Sequence, residues 1–596
     1  MSIKQLDNEH LYYSMLAGAS EVIAAKDSLN AINVFPVPDG DTGSNLAALM
    51  TTILAEAKIA PTPAETSKIV AQVALRGARG NSGIIFAQYL AGFSMGLNGD
   101  LAISMAQFST LVKQAAQSAR SAIAEPVEGT IITVMREWAE AIESLHSTSE
   151  DFLDLLNRAY EHAKTALKST TGRLKELKNA NVVDAGAKGF VHFIEGFARF
   201  LKTGVFHRPI LQAEEIFVQE DHLEAPESLR YCTEALVSGK NLQLDALRQD
   251  LKGYGDSIIL AGNNNMVRLH LHTDRPADVF VSLRKHGDVI QQKVDDMKKQ
   301  YEAAHQRKYP YAILTDSVAD LPPEFVEEHQ VYVIPMQILF ANNTFYDKLT
   351  IDSERFYQWM DQTDHYPSSA MPAPATVENM ISFLLTHYEG IVAITVSQAM
   401  SGTYNVFEKA INKIQNITPK PVYLVNSKQN SGAQGLVVMK AAEALANGAK
   451  LEEVRNIAQQ AADNAKILVS VPTLRYMVRS GRVSKVTGFI GKIMNLKPVI
   501  SIDSEGQGII FEKAFTIRGN TKKIFKEVER ISSQNGIEHY AILHANNSKR
   551  AGEYAARAKS ILGFDPLFLS DISSVVALNA GIGSVAIAVL QTNKEG

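Results

Sequence analysis

Asn33-Val34-Phe35-Pro36-Val37-Pro38-Asp39-Gly40-Asp41-Thr42-Gly43-Ser44-Asn45 is the most informative stretch of this chain. Two prolines in a row of three stiffen its approach, and Gly40 and Gly43 permit tight backbone turns. Asp39 and Asp41, two apart in a loop, can aim both carboxylates at one point. Hard oxygen ligands of this kind suit magnesium, which is commonly held by one or two carboxylates together with substrate phosphates. The same residues also read as an ordinary turn followed by the N-cap of a helix at Asn45, and local chemistry leaves both readings open.

On either side of this loop the pattern is helical. Helix formers with apolar residues three and four apart run over 11–26, 45–58, 66–76, 84–97, 105–124, 131–145, 149–167 and 187–201. No convincing strand run lies between them, so residues 1–205 are expected to form an all-α domain of about eight helices. A second glycine-rich loop, Arg76-Gly77-Ala78-Arg79-Gly80-Asn81-Ser82-Gly83, opens the helix at Ile84. Its backbone N–H groups and two arginines can meet an anion, although the loop is no Walker A motif and also reads as a plain helix cap.

Residues 206–300 change character. A connector at 210–227 leads into a strand at 231–237, a helix at 244–251 and strands at 257–261 and 266–272. The turn Gly262-Asn263-Asn264-Asn265 joins those two strands, and a helix at 277–285 and a strand at 288–294 complete the unit. The order β-α-β-β-α-β suggests a small ferredoxin-like α+β module. His270 and His272 lie two apart on a strand and so share one face, with Leu269 and Leu271 on the other. With Cys232 on a neighbouring strand they make a three-ligand set suited to zinc; the alternative is a solvated polar face and a buried free cysteine.

A polar helix and linker span 297–310, and residues 308–596 then alternate strands (311–314, 331–335, 390–395, 421–425) with helices (376–388, 406–414, 433–447). This is the pattern of βαβ units on a parallel sheet, with a second α/β lobe from Ile467. The apolar stretch 575–590 holds Asn579, Gly581 and Gly583 and reads as two buried strands around a glycine turn, too short for a membrane span. Hydroxyls stand where strands give way to helices, in Thr315-Asp316-Ser317, Ser369-Ala370-Met371-Pro372 and Ser401-Gly402-Thr403-Tyr404. Such groups bind anions or simply cap helices; Arg482 would add a fixed positive charge.

Composition narrows the function classes. The 596 residues exceed one core and suggest three or four domains at about 150 residues each. A net charge of −5 supplies no basic field for nucleic acid or an anionic membrane. One cysteine excludes an internal disulfide and fits a reducing, cytoplasmic setting. The first residues, MSIKQLDNEHLYY, carry acids and do not read as a signal peptide.

The run through Asp39 and Asp41, the Arg76–Gly83 loop, Val127-Glu128-Gly129-Thr130 and Val182-Val183-Asp184-Ala185-Gly186 together resemble the ATP-binding domain of the dihydroxyacetone kinase family. More narrowly, they resemble the kinase subunit of bacterial fatty acid kinase. The resemblance implies an eight-helix barrel that binds ATP at one rim. It further implies magnesium on Asp39 and Asp41, with Asn33 as third ligand where dihydroxyacetone kinases carry an aspartate. Thr42, Ser44, Asn45, Arg79, Asn81, Ser82, Gly83 and Thr130 would surround the nucleotide, and Asp184 and Gly186 would close the pocket. The Tyr231-Cys232-Thr233-Glu234 and Leu269-His270-Leu271-His272-Thr273 motifs resemble the middle domain of the same kinase protein, implying zinc at Cys232, His270 and His272.

From Tyr311 onward the chain resembles the DegV family of fatty-acid-binding proteins. That implies a two-lobed fold with a buried acyl chain whose carboxylate meets Ser369, Ser401, Gly402, Thr403, Arg482 and Asn579. Three departures from the family pattern stand out: Ser369-Ala370-Met371-Pro372 for a Thr-Ser-Gln-Pro motif, Asn426 for an aspartate, and Asn579 for a histidine. The expected activity is ATP- and magnesium-dependent phosphorylation of a fatty carboxylate to an acyl phosphate, in a chain that fuses kinase and acyl carrier. A fatty acid ligand, a homodimer and a downstream acyltransferase are the implied partners. The competing readings are a kinase for dihydroxyacetone or a similar small alcohol, and a non-catalytic lipid-binding or regulatory protein.

Overall fold

The computed structural model describes residues 2–35, 40–206, 229–341, 343–362, 366–480 and 496–592. Asp39, Arg482 and the connector 210–227 lie outside the described residues. Two compact units emerge, one ending at Ala304 and the other beginning at His305.

The first unit opens with long helices, Asn8–Ala24, Thr42–Glu56, Pro63–Gly77, Gly80–Met95, Met105–Ser121, Ile131–Leu145, Phe152–Thr170 and Ala185–Thr203. Their inward faces share one core, in which Phe86, Phe108, Phe152, Phe190, Phe193 and Phe197 pack edge-on or tilted. Short helices, Lys26–Asn30 and Lys175–Ala180, extend this set.

The expectation of no strands here is corrected. Gln5–Asp7 pairs antiparallel with Ala102–Ser104. Each strand has three residues, too few for any period to register in sequence, and the pairing is held by burial of Leu6 and Ile103 in the helical core.

The middle module follows the expected element order, Tyr231–Ser238, Leu244–Leu251, Asp256–Asn263, Met266–Thr273, Pro276–Leu283 and Asp288–Asp296. Its antiparallel sheet runs Asp256–Asn263, Met266–Thr273, Tyr231–Ser238, Asp288–Asp296 from edge to edge. The edge strand docks on the helices: Ile259 and Ala261 enter the helical core, and the Gly262 N–H donates to Gln88 Oε1 at 2.7 Å. The Leu260 N–H also donates to the Ala122 carbonyl at 3.0 Å. Helical part and module therefore form one folding unit.

The second unit has two lobes. A four-stranded parallel sheet, ordered Val422–Asn426, Gly390–Thr395, Tyr311–Asp316, Tyr332–Ile334, forms the first. Beside it lies a small antiparallel sheet of Asn343–Tyr346, Gln337–Phe340 and Ser368–Ala370, which sequence periodicity does not reveal. The second lobe is a six-stranded mixed sheet ordered Gly508–Glu512, Val499–Ile502, Ala465–Ser470, Val585–Gln591, Ile537–His544, Phe568–Asp571.

The stretch 575–590 is half helix. Ser573 caps Ser574–Ala580, Gly581 ends that helix with φ +83°, and only Val585–Gln591 is a strand. A short apolar run does not by period alone distinguish a buried strand from a buried helix, and here the cap decides. Among the described residues no helix is long and apolar enough to cross a membrane.

Candidate functional site

In the first unit, four helix N-termini meet. The Gly80–Met95 helix starts with Gly80 at φ +57°, where a side chain would strike Asn45 of the neighbouring helix. A Cβ on Gly186 would come within 2.9 Å of Ser82 Oγ and 3.4 Å of Ile131 Cβ, so the starts of the Ile131–Leu145 and Ala185–Thr203 helices join the first two at this glycine. Unpaired N–H groups and aligned peptide dipoles at such ends favour an anion.

The expected residues fall into place around this point. Asp41 immediately precedes the Thr42–Glu56 helix, is half-buried, and makes no capping bond to it. Thr42 Oγ1 donates to Asn33 Oδ1 at 2.9 Å, and Ser44 exchanges two hydrogen bonds of 3.0 Å with Asn30. Arg79 is exposed at the mouth of the Gly80 helix, while Arg76 is paired with Glu56 at 2.6 Å. Asn81 Oδ1 is buried without a hydrogen-bond partner among the described residues. Thr130 begins the Ile131–Leu145 helix, its hydroxyl donating to the Val127 carbonyl at 2.9 Å. Gly83 lies against the Asn45 backbone.

Asp184 is a clamp more than a lid. Its carboxylate accepts the Ala187 N–H at 2.7 Å and also a backbone N–H of Ile131, tying two helix starts together. Burial pushes its carboxyl up to about 7, against those two hydrogen bonds, from the ordinary 3.8. The folded state therefore binds this proton more tightly than the unfolded chain, and the associated stability is lost as pH rises through 7. Asp184→Asn cannot ionise. Wild type should lose up to a few kcal/mol relative to it between about pH 4 and about pH 8. Chemical unfolding across that range tests this; a constant difference would contradict the buried carboxyl.

The middle sheet brings the remaining first-unit residues beside this point. Cross-strand register sets Cys232 opposite His272 and Glu234 opposite His270. The candidate ligand atoms of Cys232, His270 and His272 all lie within 4.8 Å of one another. Cys232 Sγ is 3.8 Å from His270 Nδ1, and His270 Nε2 is buried without a partner among the described residues. Burial, then the His270 charge, pushes His272 down to about 4, so it is a neutral imidazole at pH 7, as metal ligation requires. Burial and then the charges of Glu234, Asp295 and Asp41 push the Cys232 thiol up, which a bound cation would reverse. Leu269 and Leu271 face the opposite way and are fully buried. This donor set fits a zinc-like cation.

Sequence reasoning missed Glu234. It stands two residues after Cys232 on one strand, so period-two alternation puts both on one face. Its Oε2 accepts from Arg268 at 2.9 Å, and its Oε1 accepts the Gly80 N–H at 2.7 Å.

In the second unit, Ser369, Ala370, Ser401, Gly402 and Asn579 line a cavity of about 620 Å³. Apolar lining comes from residues such as Val318, Met336, Ile467, Val469 and Ile500. Ser401 Oγ and Thr403 Oγ1 are 2.8 Å apart, with Thr403 buried behind Ser401 and absent from the lining. Asn579 Nδ2 donates to the Val575 carbonyl at 2.9 Å. Asn426 Oδ1 accepts the N–H groups of Gln398 and Lys428 at 3.2 and 3.0 Å, doing a loop-capping carboxylate's work without charge. His544, unanticipated from sequence, also lines the cavity, with Nδ1 3.2 Å from Asp571.

Family models match three consecutive parts of the chain. Residues 36–199 match the DAK2 domain, 228–304 the FakA-like middle domain of fatty acid kinase, and 310–592 the DegV family of uncharacterised proteins. An uncharacterized protein of Staphylococcus epidermidis is 35% identical over 309 residues, covering 49% of this chain and 56% of the relative. Protein YloV of Bacillus subtilis is 30% identical over 352 residues, covering 54% and 64%. The chain thus spans about half to two thirds of the length of these relatives. The fatty acid binding protein DegV of Bacillus subtilis aligns at TM-score 0.44 and 24% identity, over 48% of this chain and all of that one. A stearic-acid-binding protein of Eubacterium ventriosum aligns at TM-score 0.45 and 22% identity, over 47% and 98%.

Proposed function

We propose, from a chain that joins a DAK2 domain, a FakA-like middle domain and a DegV domain, that it transfers the γ-phosphoryl group of ATP to a fatty carboxylate. The observation that carries this reading is the meeting of four helix N-termini beside Asp41 in the first unit. An apolar cavity with hydroxyls at its wall, in the second unit, supplies the acyl side. On this reading the helical part is a nucleotide-binding barrel and the middle module a ferredoxin-like support.

Asp41, with Asp39 and Asn33, would hold magnesium, which supplies charge neutralisation of the phosphates when bound. The N–H groups at the starts of the Gly80 and Ala185 helices other than those of Gly80 and Ala187, which Glu234 and Asp184 accept, would cradle the phosphates with Asn45, Asn81, Ser82 and Thr130. Asp184 holds the Ile131 and Ala185 helix starts in register.

A fatty carboxylate has a pKa of roughly 4 to 5, like that of Glu, and is anionic at neutral pH. It needs no general base. A carboxylate oxygen forms the new bond to the γ-phosphorus, the β–γ bridging bond breaks, and ADP leaves with that electron pair. The residues of this chain contribute by orientation and by fixed partial charge. Ser401 and Ser369 would orient the carboxylate, with Thr403 fixing the Ser401 hydroxyl. An acyltransferase that accepts an activated acyl group would consume the product.

Two measurements test this reading. Native mass spectrometry of purified protein should reveal a bound fatty acid, and incubation with ATP, magnesium, oleate and hydroxylamine should yield the fatty hydroxamate. Ser401→Ala should raise the KM for oleate about tenfold, by removing one hydrogen bond to a charged group. An unchanged KM would remove Ser401 from the carboxylate site.

A further inference from the structure

The Glu234 carboxylate joins two places that the proposed function treats separately. Oε2 accepts from Arg268 at 2.9 Å within the middle sheet. Oε1 lies 3.5 Å from His270 Nδ1 and accepts the Gly80 N–H at 2.7 Å, from the first residue of the helix that opens the anion loop. Glu234, Arg268 and His270 are 3%, 5% and 4% exposed, so water does not compete for these bonds. At either end of this link a buried polar atom lacks a partner among the described residues: His270 Nε2 in the cation cluster and Asn81 Oδ1 beside Gly80.

We infer that Glu234 is a positioning residue that couples cation occupancy of the Cys232–His270–His272 cluster to nucleotide binding at the start of the Gly80–Met95 helix. The inference rests on the nucleotide site proposed above. A carboxylate beside a metal-binding imidazole fixes the ring's tautomer and orientation. One carboxylate oxygen here faces both His270 and the Gly80 N–H, so a cation that fixes the imidazole also fixes the partner of Gly80. An anion drawn to the neighbouring N–H groups of this helix start orders the same first turn, and Gly80 with it. Linkage then requires each ligand to tighten the other by one common factor.

The test uses the full-length chain, with zinc removed by dipicolinate and dialysis and then restored at one equivalent. Calorimetry gives the affinity for ADP with magnesium in each state, and competition with a chromophoric chelator gives the zinc affinity with and without ADP. In wild type both affinities should change by the same factor, within about 5- to 150-fold. In E234Q, zinc should still bind and the factor should fall to less than about twofold, because one amide oxygen cannot serve both Arg268 and Gly80. E234Q/R268Q removes both buried charges, guards against misfolding of the single variant, and should show the same loss. Zinc and ADP that both bind wild type without affecting each other, or equal coupling in wild type and both variants, would overturn the inference alone. Failure of ADP to bind would overturn the nucleotide site and the inference with it, and failure of zinc to bind would overturn the inference through its cation cluster.

Discussion

Asp41→Ala will reduce acyl phosphate formation by on the order of 10³-fold or more while leaving the chain folded. The kinetic loss is large because phosphoryl transfer offers little covalent chemistry for a protein to assist. Nearly all the acceleration comes from positioning and from neutralising charge on the phosphates. Asp41 is the described acid of the loop proposed for this role, and its negative charge reaches as far as the Cys232 thiol in the adjoining module. The structural cost is small because the side chain is only half-buried. Hydroxamate trapping with wild type and variant measures the first quantity, and thermal unfolding checks the second. Full activity in the variant would remove Asp41 from the metal site.

Glu234→Ala should destabilise the first unit by about 3–5 kcal/mol. The substitution leaves the Arg268 guanidinium, 5% exposed, without its carboxylate partner, and it strips the Gly80 N–H of its acceptor. An unpaired charge in a dry site costs far more than the intact pair contributes. Burial alone would raise the Glu234 carboxyl; the hydrogen bond from His270 and the charges of Arg268 and Lys293 outweigh it and hold the group well below the usual carboxylate range. Replacing both members, as in Glu234→Ala with Arg268→Met, should recover most of that loss, since two apolar side chains leave no charge behind. Denaturant unfolding of the three proteins reports this. A single variant within about 0.5 kcal/mol of wild type would mean that the pair is solvated.

Much of this was legible in the chain because its local signals agree with the tertiary structure. Helices such as Met105–Ser121, Ile131–Leu145, Phe152–Thr170 and Ala185–Thr203 carry strong 3.6-residue periods, and the middle module announces its strands through alternation and the Gly262–Asn265 turn. What escaped depended on contacts distant in sequence. The Gln5–Asp7 and Ala102–Ser104 strands exist because Leu6 and Ile103 find each other across about 100 residues. The Gln337–Phe340 sheet and the Ser574–Ala580 helix are likewise set by what they pack against, since their apolar runs are too short to fix a period. Among site residues, Glu234 was visible by alternation yet gave no reason for notice until Gly80 came within 2.7 Å. His544 joined the cavity only through the two-lobed fold.

The central claim is that a carboxylate oxygen of the bound fatty acid attacks the γ-phosphorus of ATP. Fatty acid labelled with ¹⁸O in its carboxylate, incubated with the full chain, ATP and magnesium, tests it by ³¹P NMR. The account predicts an acyl phosphate signal shifted by one ¹⁸O bound to phosphorus, formed in step with ADP. Only unlabelled inorganic phosphate beside ADP, or no ADP at all, would contradict it.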